Sequence, residues 1–132
     1  MDQQRILVID DDEDVLFLIE YALKRLGVTT HCVTDGARGI DLYRNSIETG
    51  TPYAAVIVDM CLPGGKGARE LVGPLLAIDP SAKIFVTSGY PDDPCLTDYL
   101  SYGFHGAIPK PITYEVLRDM VVPVLRDFAG CP

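Results

Sequence analysis

The sequence predicts an α/β fold: a doubly wound sheet of five parallel strands with helices on both faces. Three observations carry this. Short apolar runs of strand length alternate with segments whose apolar residues recur at helical spacing. The central run, Tyr53-Ala54-Ala55-Val56-Ile57-Val58, is apolar throughout, as in parallel strands buried on both faces. No linker or low-complexity segment interrupts the alternation, so right-handed crossovers stack the helices over a single sheet.

In chain order, Arg5 to Ile9 is the first strand, ending in Asp10-Asp11-Asp12-Glu13-Asp14. Val15 to Leu26 is the first helix, with Val15, Leu18, Ile19, Ala22, Leu23 and Leu26 on its apolar face and Gly27 at its C-terminal end. Asp12, Glu13 and Asp14 read as helix-start residues, because acids complement the helix dipole there. Val28 to Val33 is a more polar second strand, suited to a sheet edge. Asp35 to about Ser46 is the second helix, and the Gly50-Thr51-Pro52 turn leads into the central strand. That strand stops at Asp59, after which Pro63-Gly64-Gly65 forces a turn. Ala68 to Ile78 is the third helix, where Pro74 removes a hydrogen bond and bends the axis. Lys83 to Val86 is the fourth strand, running into Thr87-Ser88-Gly89, and Asp93 to Ser101 is a short fourth helix. Phe104 to Ile108 is the fifth strand, ending at Pro109-Lys110-Pro111. Thr113 to about Phe128 is the last helix, bent at Pro123.

A chain of 132 residues has room for one domain with a real core. Hydrophobic content of 48% and charged content of 23% describe an ordinary globular composition. A net charge of -8 argues against direct binding to nucleic acid, which requires clustered Lys and Arg. No apolar run is long enough to span a bilayer, and the Met1-Asp2-Gln3-Gln4 start lacks a signal pattern, so the expected location is the cytoplasm. Cys32, Cys61, Cys95 and Cys131 have no CxxC spacing and read as four free thiols, while His31 and His105 read as plain strand or surface residues.

In a doubly wound sheet the carboxyl ends of the strands share one edge, where ligands bind. Here those ends carry Asp10 and Asp11, then Asp59, Thr87 and Lys110. An Asp closing a strand often does no more than open a turn. Five complementary groups on one edge are a different matter. Carboxylates hold a hard cation such as Mg²⁺, while a hydroxyl and an ammonium suit phosphoryl oxygens. A carboxylate among them can attack phosphorus to give an aspartyl phosphate. Two rival motifs fail on spacing. Asp10-Asp12-Asp14 lacks the glycine an EF-hand loop needs, and Gly64-Gly65-Lys66-Gly67 lacks the phosphate-loop pattern.

Together, Leu7-Val8-Ile9-Asp10-Asp11, Val56-Ile57-Val58-Asp59 with Pro63-Gly64, Val86-Thr87-Ser88-Gly89 and Lys110-Pro111 resemble the receiver domain of two-component response regulators, over about residues 5–128. The turn after Asp59 and Thr87-Ser88-Gly89-Tyr90 look most like receivers of hybrid histidine kinases. The resemblance implies the flavodoxin-like strand order 2-1-3-4-5 and gives each group a role. Asp59 is the phosphoacceptor. Asp11, Asp59 and the Cys61 backbone carbonyl bind Mg²⁺ directly, and Asp10 acts through water. Thr87 and Lys110 bind the phosphoryl oxygens. The implied partner is a histidine kinase or histidine phosphotransfer protein, and catalysis is limited to the domain's own phosphorylation and dephosphorylation. The implied two-state element is the Thr87 loop with the face of the last two strand–helix units, a face that also suits a homodimer. Many family members carry an aromatic three residues before the lysine, whose inward swing reports phosphorylation; here that residue is Ala107. Cys61 and Gly89 fall where the family flanks the approach of hydrolytic water.

A second resemblance points to an enzyme. Asp10 to Val15 after an apolar strand is similar to the nucleophile motif of haloacid dehalogenase-like phosphatases. Asp10 would then be the nucleophile and Asp12 the acid/base, with Thr87 and Lys110 as the next two motifs. Against it, no acidic pair follows Lys110 and Asp59 has no task. A flavodoxin-like flavin binder fits less well, since acids replace the Ser/Thr/Gly phosphate loop after the first strand.

Overall fold

The computed structural model describes residues 4–62, 64 and 66–129. Its sheet has the order β2-β1-β3-β4-β5, all parallel: β1 Arg5–Ile9, β2 Thr29–Val33, β3 Ala55–Asp59, β4 Ile84–Ser88 and β5 Gly106–Pro109. The polar second strand lies at an edge, as its composition predicts, and β3 is buried along its whole length. Five strands alternate with α1 Glu13–Arg25, α2 Gly36–Glu48, α3 Ala68–Ile78, α4 Pro94–Thr97 and α5 Tyr114–Ala129.

Alternation along the strands splits the core in two. Ile6, Val8, Ile57, Phe85 and Ile108 point to one face, where they meet Ile19 and Leu23 of α1 and Leu117, Val121 and Val124 of α5. Leu7, Ile9, Val56, Val58, Ile84 and Val86 point to the other, against Tyr43 of α2, Leu71 and Leu75 of α3 and Cys95 of α4. Both faces being covered, the strand ends are where polar chemistry has room.

Two expectations need correcting. The first helix begins at Glu13 because the Asp12 side chain caps it, accepting the amides of Asp14 at 2.9 Å and Val15 at 3.4 Å. Leu16 and Ile19 then face inward, and Leu18, roughly 200° around the helix from Leu16, is turned to solvent. The fourth helix does not run from Asp93 to Ser101. It breaks at Asp98 (φ -134°, ψ 47°) into α4 and a 3₁₀ turn, Tyr99–Tyr102, closed by left-handed Gly103. Asp98 also accepts a local hydrogen bond from the Ser101 hydroxyl at 2.9 Å, and Cys95 is the one buried residue of α4, so little apolar surface favours a longer helix.

Pro74 and Pro123 lie inside α3 and α5 as expected. Cys32, Cys61 and Cys95 are free thiols, while Cys131, together with Pro63 and Gly65 of the turn after Asp59, lies outside the described residues. His31 bonds the Tyr53 hydroxyl at 2.7 Å and His105 packs edge-on against Phe85, both as ordinary strand-associated residues. Among the described residues no helix is long and apolar enough to cross a membrane.

Candidate functional site

The ladder of the sheet continues past the strands and fixes the backbone of the candidate residues. The Asp10 amide donates to the Val33 carbonyl at 3.1 Å, Met60 to Thr87 at 2.9 Å, and Lys110 to Ser88 at 2.9 Å. Asp59 and Thr87 are themselves paired in the β3–β4 register. Apolar strand residues thus hold polar residues in place where the apolar runs end.

Asp10, Asp11 and Asp59 come together, each offering a carboxylate oxygen within 4.8 Å of the others. Asp10 and Asp59 are buried, at 2% and 8% exposure, and Asp11 is exposed. Lys110 Nζ lies between the buried pair, 3.3 Å from Asp10 Oδ2 and 3.4 Å from Asp59 Oδ2. Asp10 Oδ1 also accepts the Asp12 amide at 2.9 Å. The Lys110–Pro111 peptide is cis.

The electrostatics match this crowding. Burial, followed by the Asp59 charge, lifts the Asp10 pKa above the ordinary carboxylate value, and the Asp12 amide and the Lys110 ammonium offset this only in part. For Lys110, burial alone would lower the pKa, but Asp10 and Asp59 outweigh it and move the pKa up. The ammonium therefore stays charged. With three carboxylates facing one ammonium, the cluster keeps a net affinity for cations.

Thr87 completes the edge. It is 1% exposed, and its hydroxyl has no hydrogen-bond partner among the described residues. A buried hydroxyl left unpaired costs about 1–3 kcal/mol, so such a group calls for a reason. Cys61 is exposed, and its amide makes a long 3.4 Å hydrogen bond to Asp59 Oδ1, while its thiol is not part of the carboxylate trio. All the predicted site residues therefore sit at one sheet edge. The Asp12 side chain is engaged as the helix cap of α1, while its amide donates to Asp10 Oδ1.

One residue of the site enters the sequence reading only as part of the turn after Asp59, with no role of its own. Gly67 lies so close to the Met60–Cys61 peptide that a Cβ there would fall 1.8 Å from the Met60 carbonyl oxygen. The available hint was a third glycine in a turn where Gly64 takes the left-handed conformation (φ +79°).

A doubly wound sheet whose carboxyl edge gathers acids, a hydroxyl and a lysine defines a phosphoryl-handling α/β switch module. The comparisons make this specific: residues 6–122 match the response regulator receiver domain, and the chain belongs to that family. It is a receiver domain of two-component signalling, and nothing supports the phosphatase alternative. The chain is 27% identical to a cyclic di-GMP phosphodiesterase of Thermotoga maritima over 92% of its own length and 31% of the relative's. It is 30% identical to the sensor protein TorS of Escherichia coli, over 96% of this chain and 13% of that one. It thus spans less than a third of either relative. Among solved structures, a response regulator receiver domain protein from Clostridium thermocellum superposes with a TM-score of 0.82 at 21% identity, covering 96% of this chain and 97% of that one, which supports the fold.

Proposed function

We propose that this domain, over about residues 5–128, is switched by Mg²⁺-dependent phosphorylation of Asp59. The observation that carries the reading is Lys110, whose ammonium bridges Asp10 and Asp59, beside a buried Thr87 hydroxyl with no partner among the described residues. The carboxylate trio fits a hard divalent ion that takes few protein oxygens and keeps several waters, for which the exposed side at Asp11 leaves room. Asp11, Asp59 and the Cys61 carbonyl would hold Mg²⁺ directly and Asp10 through water. The ion would supply charge neutralisation between the carboxylates and the incoming phosphoryl group.

The protein's own residues do the rest. An Asp59 carboxylate oxygen attacks phosphorus, the phosphorus–nitrogen bond of a phosphohistidine breaks, and the imidazole nitrogen takes a proton. Lys110 stays charged and follows the phosphoryl oxygens, and the Thr87 hydroxyl donates to one of them. Movement of Thr87 toward the phosphoryl group then biases its loop and the face formed by α4, β5 and α5. That face exposes Tyr90, Leu100 and Val116, and a homodimer through it suits the activated state.

The phosphoryl donor is a histidine kinase or a histidine phosphotransfer protein. Its docking surface is supported by α1, which starts beside the acids and exposes Phe17 (71%), Leu18 (42%) and Tyr21 (62%). Such an apolar strip is costly on a surface unless a partner covers it. The domain acts in the cytoplasm, performs no chemistry beyond its own modification, and does not bind nucleic acid directly, in keeping with its net charge of -8. Incubation with acetyl phosphate and Mg²⁺, followed by mapping of the labelled residue, tests the reading. Label on Asp59 supports it. Label on Asp10, or none, overturns it.

A further inference from the structure

Gly67 precedes α3 with φ -97° and ψ -158°, a backbone conformation that any residue adopts. Its glycine is therefore required by neighbours, not by its own torsions. A Cβ at this position would lie 1.8 Å from the Met60 oxygen, 2.5 Å from the Met60 carbonyl carbon and 3.1 Å from the Cys61 nitrogen. All three are backbone atoms, so no side-chain rotation relieves the clash.

Neither neighbour can retreat cheaply. On one side α3 is anchored from its first residue, with Ala68 and Leu75 fully buried and Leu71 nearly so. Glu70 Oε1 also accepts the Gly67 amide at 2.8 Å, holding the start of the helix against the loop. On the other side the Met60 amide is tied to the Thr87 carbonyl at 2.9 Å, in the ladder that pairs Asp59 with Thr87. The peptide between Met60 and Cys61 is the compliant element left. It carries the N–H that donates to Asp59 Oδ1, and the Cys61 carbonyl follows one residue on.

We propose that Gly67 is a positioning residue: its missing side chain lets α3 clamp the Met60–Cys61 peptide, which orients the Asp59 carboxylate and the Cys61 carbonyl. The proposal rests on the reading of that carboxylate and carbonyl as metal ligands. A side chain at residue 67 swings the peptide, lengthens an already long hydrogen bond to Asp59 and moves the carbonyl away from the metal. Displacements near 1 Å at a reacting group cost up to about a hundredfold in rate, so a methyl group remote from the chemistry is enough.

The test compares Gly67→Ala with Gly73→Ala, a glycine of the same helix around which a Cβ meets nothing within 4 Å. Mg²⁺ affinity is read by titration, labelling by acetyl phosphate decay, and local geometry by the Asp59 and Cys61 amide resonances of metal-free protein. Gly67→Ala is expected to shift those resonances, weaken Mg²⁺ binding about tenfold and slow labelling by at least that factor, while Gly73→Ala matches wild type in all three. Should Gly67→Ala not fold, Glu70→Ala releases the same clamp without a clash and is expected to show the same losses in smaller degree. A folded Gly67→Ala with wild-type affinity, labelling and resonances overturns the proposal, as does a Glu70→Ala indistinguishable from wild type. If wild type itself fails to label at Asp59, the functional reading falls, and the metal-free resonances still decide the clamp.

Discussion

Asp59 and Thr87 are register partners in adjacent parallel strands, and the next rung of the ladder, from the Met60 amide to the Thr87 carbonyl, spans 2.9 Å. The backbone positions of the proposed phosphoacceptor and of the hydroxyl residue are therefore set by sheet geometry. Rigid placement of that kind suits the proposed role, in which the two hold a phosphoryl group between them.

Replacing Asp59 by Asn removes the nucleophile while keeping its shape. Asp59→Asn is expected to lose all acetyl-phosphate labelling, and chelation of Mg²⁺ to stop labelling of wild type. A labelled Asp59→Asn protein would place the phosphoacceptor elsewhere.

Thr87 gives a prediction in which activity and stability move in opposite directions. Its hydroxyl is buried without a partner among the described residues, so Thr87→Val is expected to raise stability by about 1 kcal/mol. The same change removes a donor to the phosphoryl oxygens, a hydrogen bond worth about 1.5–3 kcal/mol to a charged group, and should slow labelling tenfold or more. Thermal unfolding and labelling rate are measured on one preparation. A destabilised, fully active variant would contradict this account of the hydroxyl.

The carboxylate cluster makes its own prediction for stability. Two charges 4 Å apart repel by about 4 kcal/mol at an effective dielectric near 20, and the Lys110 ammonium, 3.3 Å from Asp10 and 3.4 Å from Asp59, relieves part of this. In chelator, Asp10→Asn is expected to melt at a higher temperature than wild type. In millimolar Mg²⁺ wild type should gain more than the variant does, because binding to the folded state stabilises by mass action. An Asp10→Asn protein that melts lower in chelator would show that the acids are not in net repulsion.

Acid sensitivity follows from the two histidines. Burial, followed by nearby positive charge, from Arg5 at His31 and Lys83 at His105, pushes both pKa values below 6.5. The unfolded chain then binds these protons more readily than the folded one. Stability is complete above pH 6.5 and falls as pH drops from there through the folded values. The double variant His31→Gln, His105→Gln should flatten the melting temperature across that window. An unchanged slope would assign it to other groups.

Strand ends were legible in the sequence because the apolar runs stop abruptly there, at a charged residue after Ile9, Val58 or Pro109. The spacing of apolar residues located α1 and most of its inner face, with Ile19, Ala22 and Leu23 buried and Val15 and Leu26 packed beside them, and erred at one residue. Leu18 fits the apolar series by count, yet the Asp12 cap and the inward turn of Leu16 leave Leu18, with Phe17 and Tyr21, outside. The break at Asp98 was hidden because local hydrogen bonding competes with helix propensity over a segment that buries little. Gly67 was hidden for another reason: its constraint comes from Met60, seven positions away along the chain, and no local pattern encodes it.

How long the phosphoryl group persists depends on a water arriving in line with the Asp59–phosphorus bond from the solvent side. In the proposed function two positions would flank that approach, Cys61 and Gly89, two residues beyond Asp59 and Thr87 respectively. Cys61 is exposed, and a Cβ at Gly89 would meet nothing within 4 Å, so both open toward solvent. A thiol is a weak hydrogen-bonding partner and glycine has no side chain, so neither orients the attacking water. An acid or amide there would do so, and lowering the barrier by about 1.4 kcal/mol is worth tenfold in rate. The open space at Gly89 works in the opposite direction, since water enters freely. Orientation outweighs access here, because bulk water is abundant at an exposed edge and its alignment is the scarce quantity. The double variant Cys61→Asn, Gly89→Glu is therefore expected to lose its phosphoryl group about tenfold faster than wild type. Decay is followed after removal of the donor with Mg²⁺ held constant. A double variant that decays no faster than wild type would mean that these two positions do not set the lifetime.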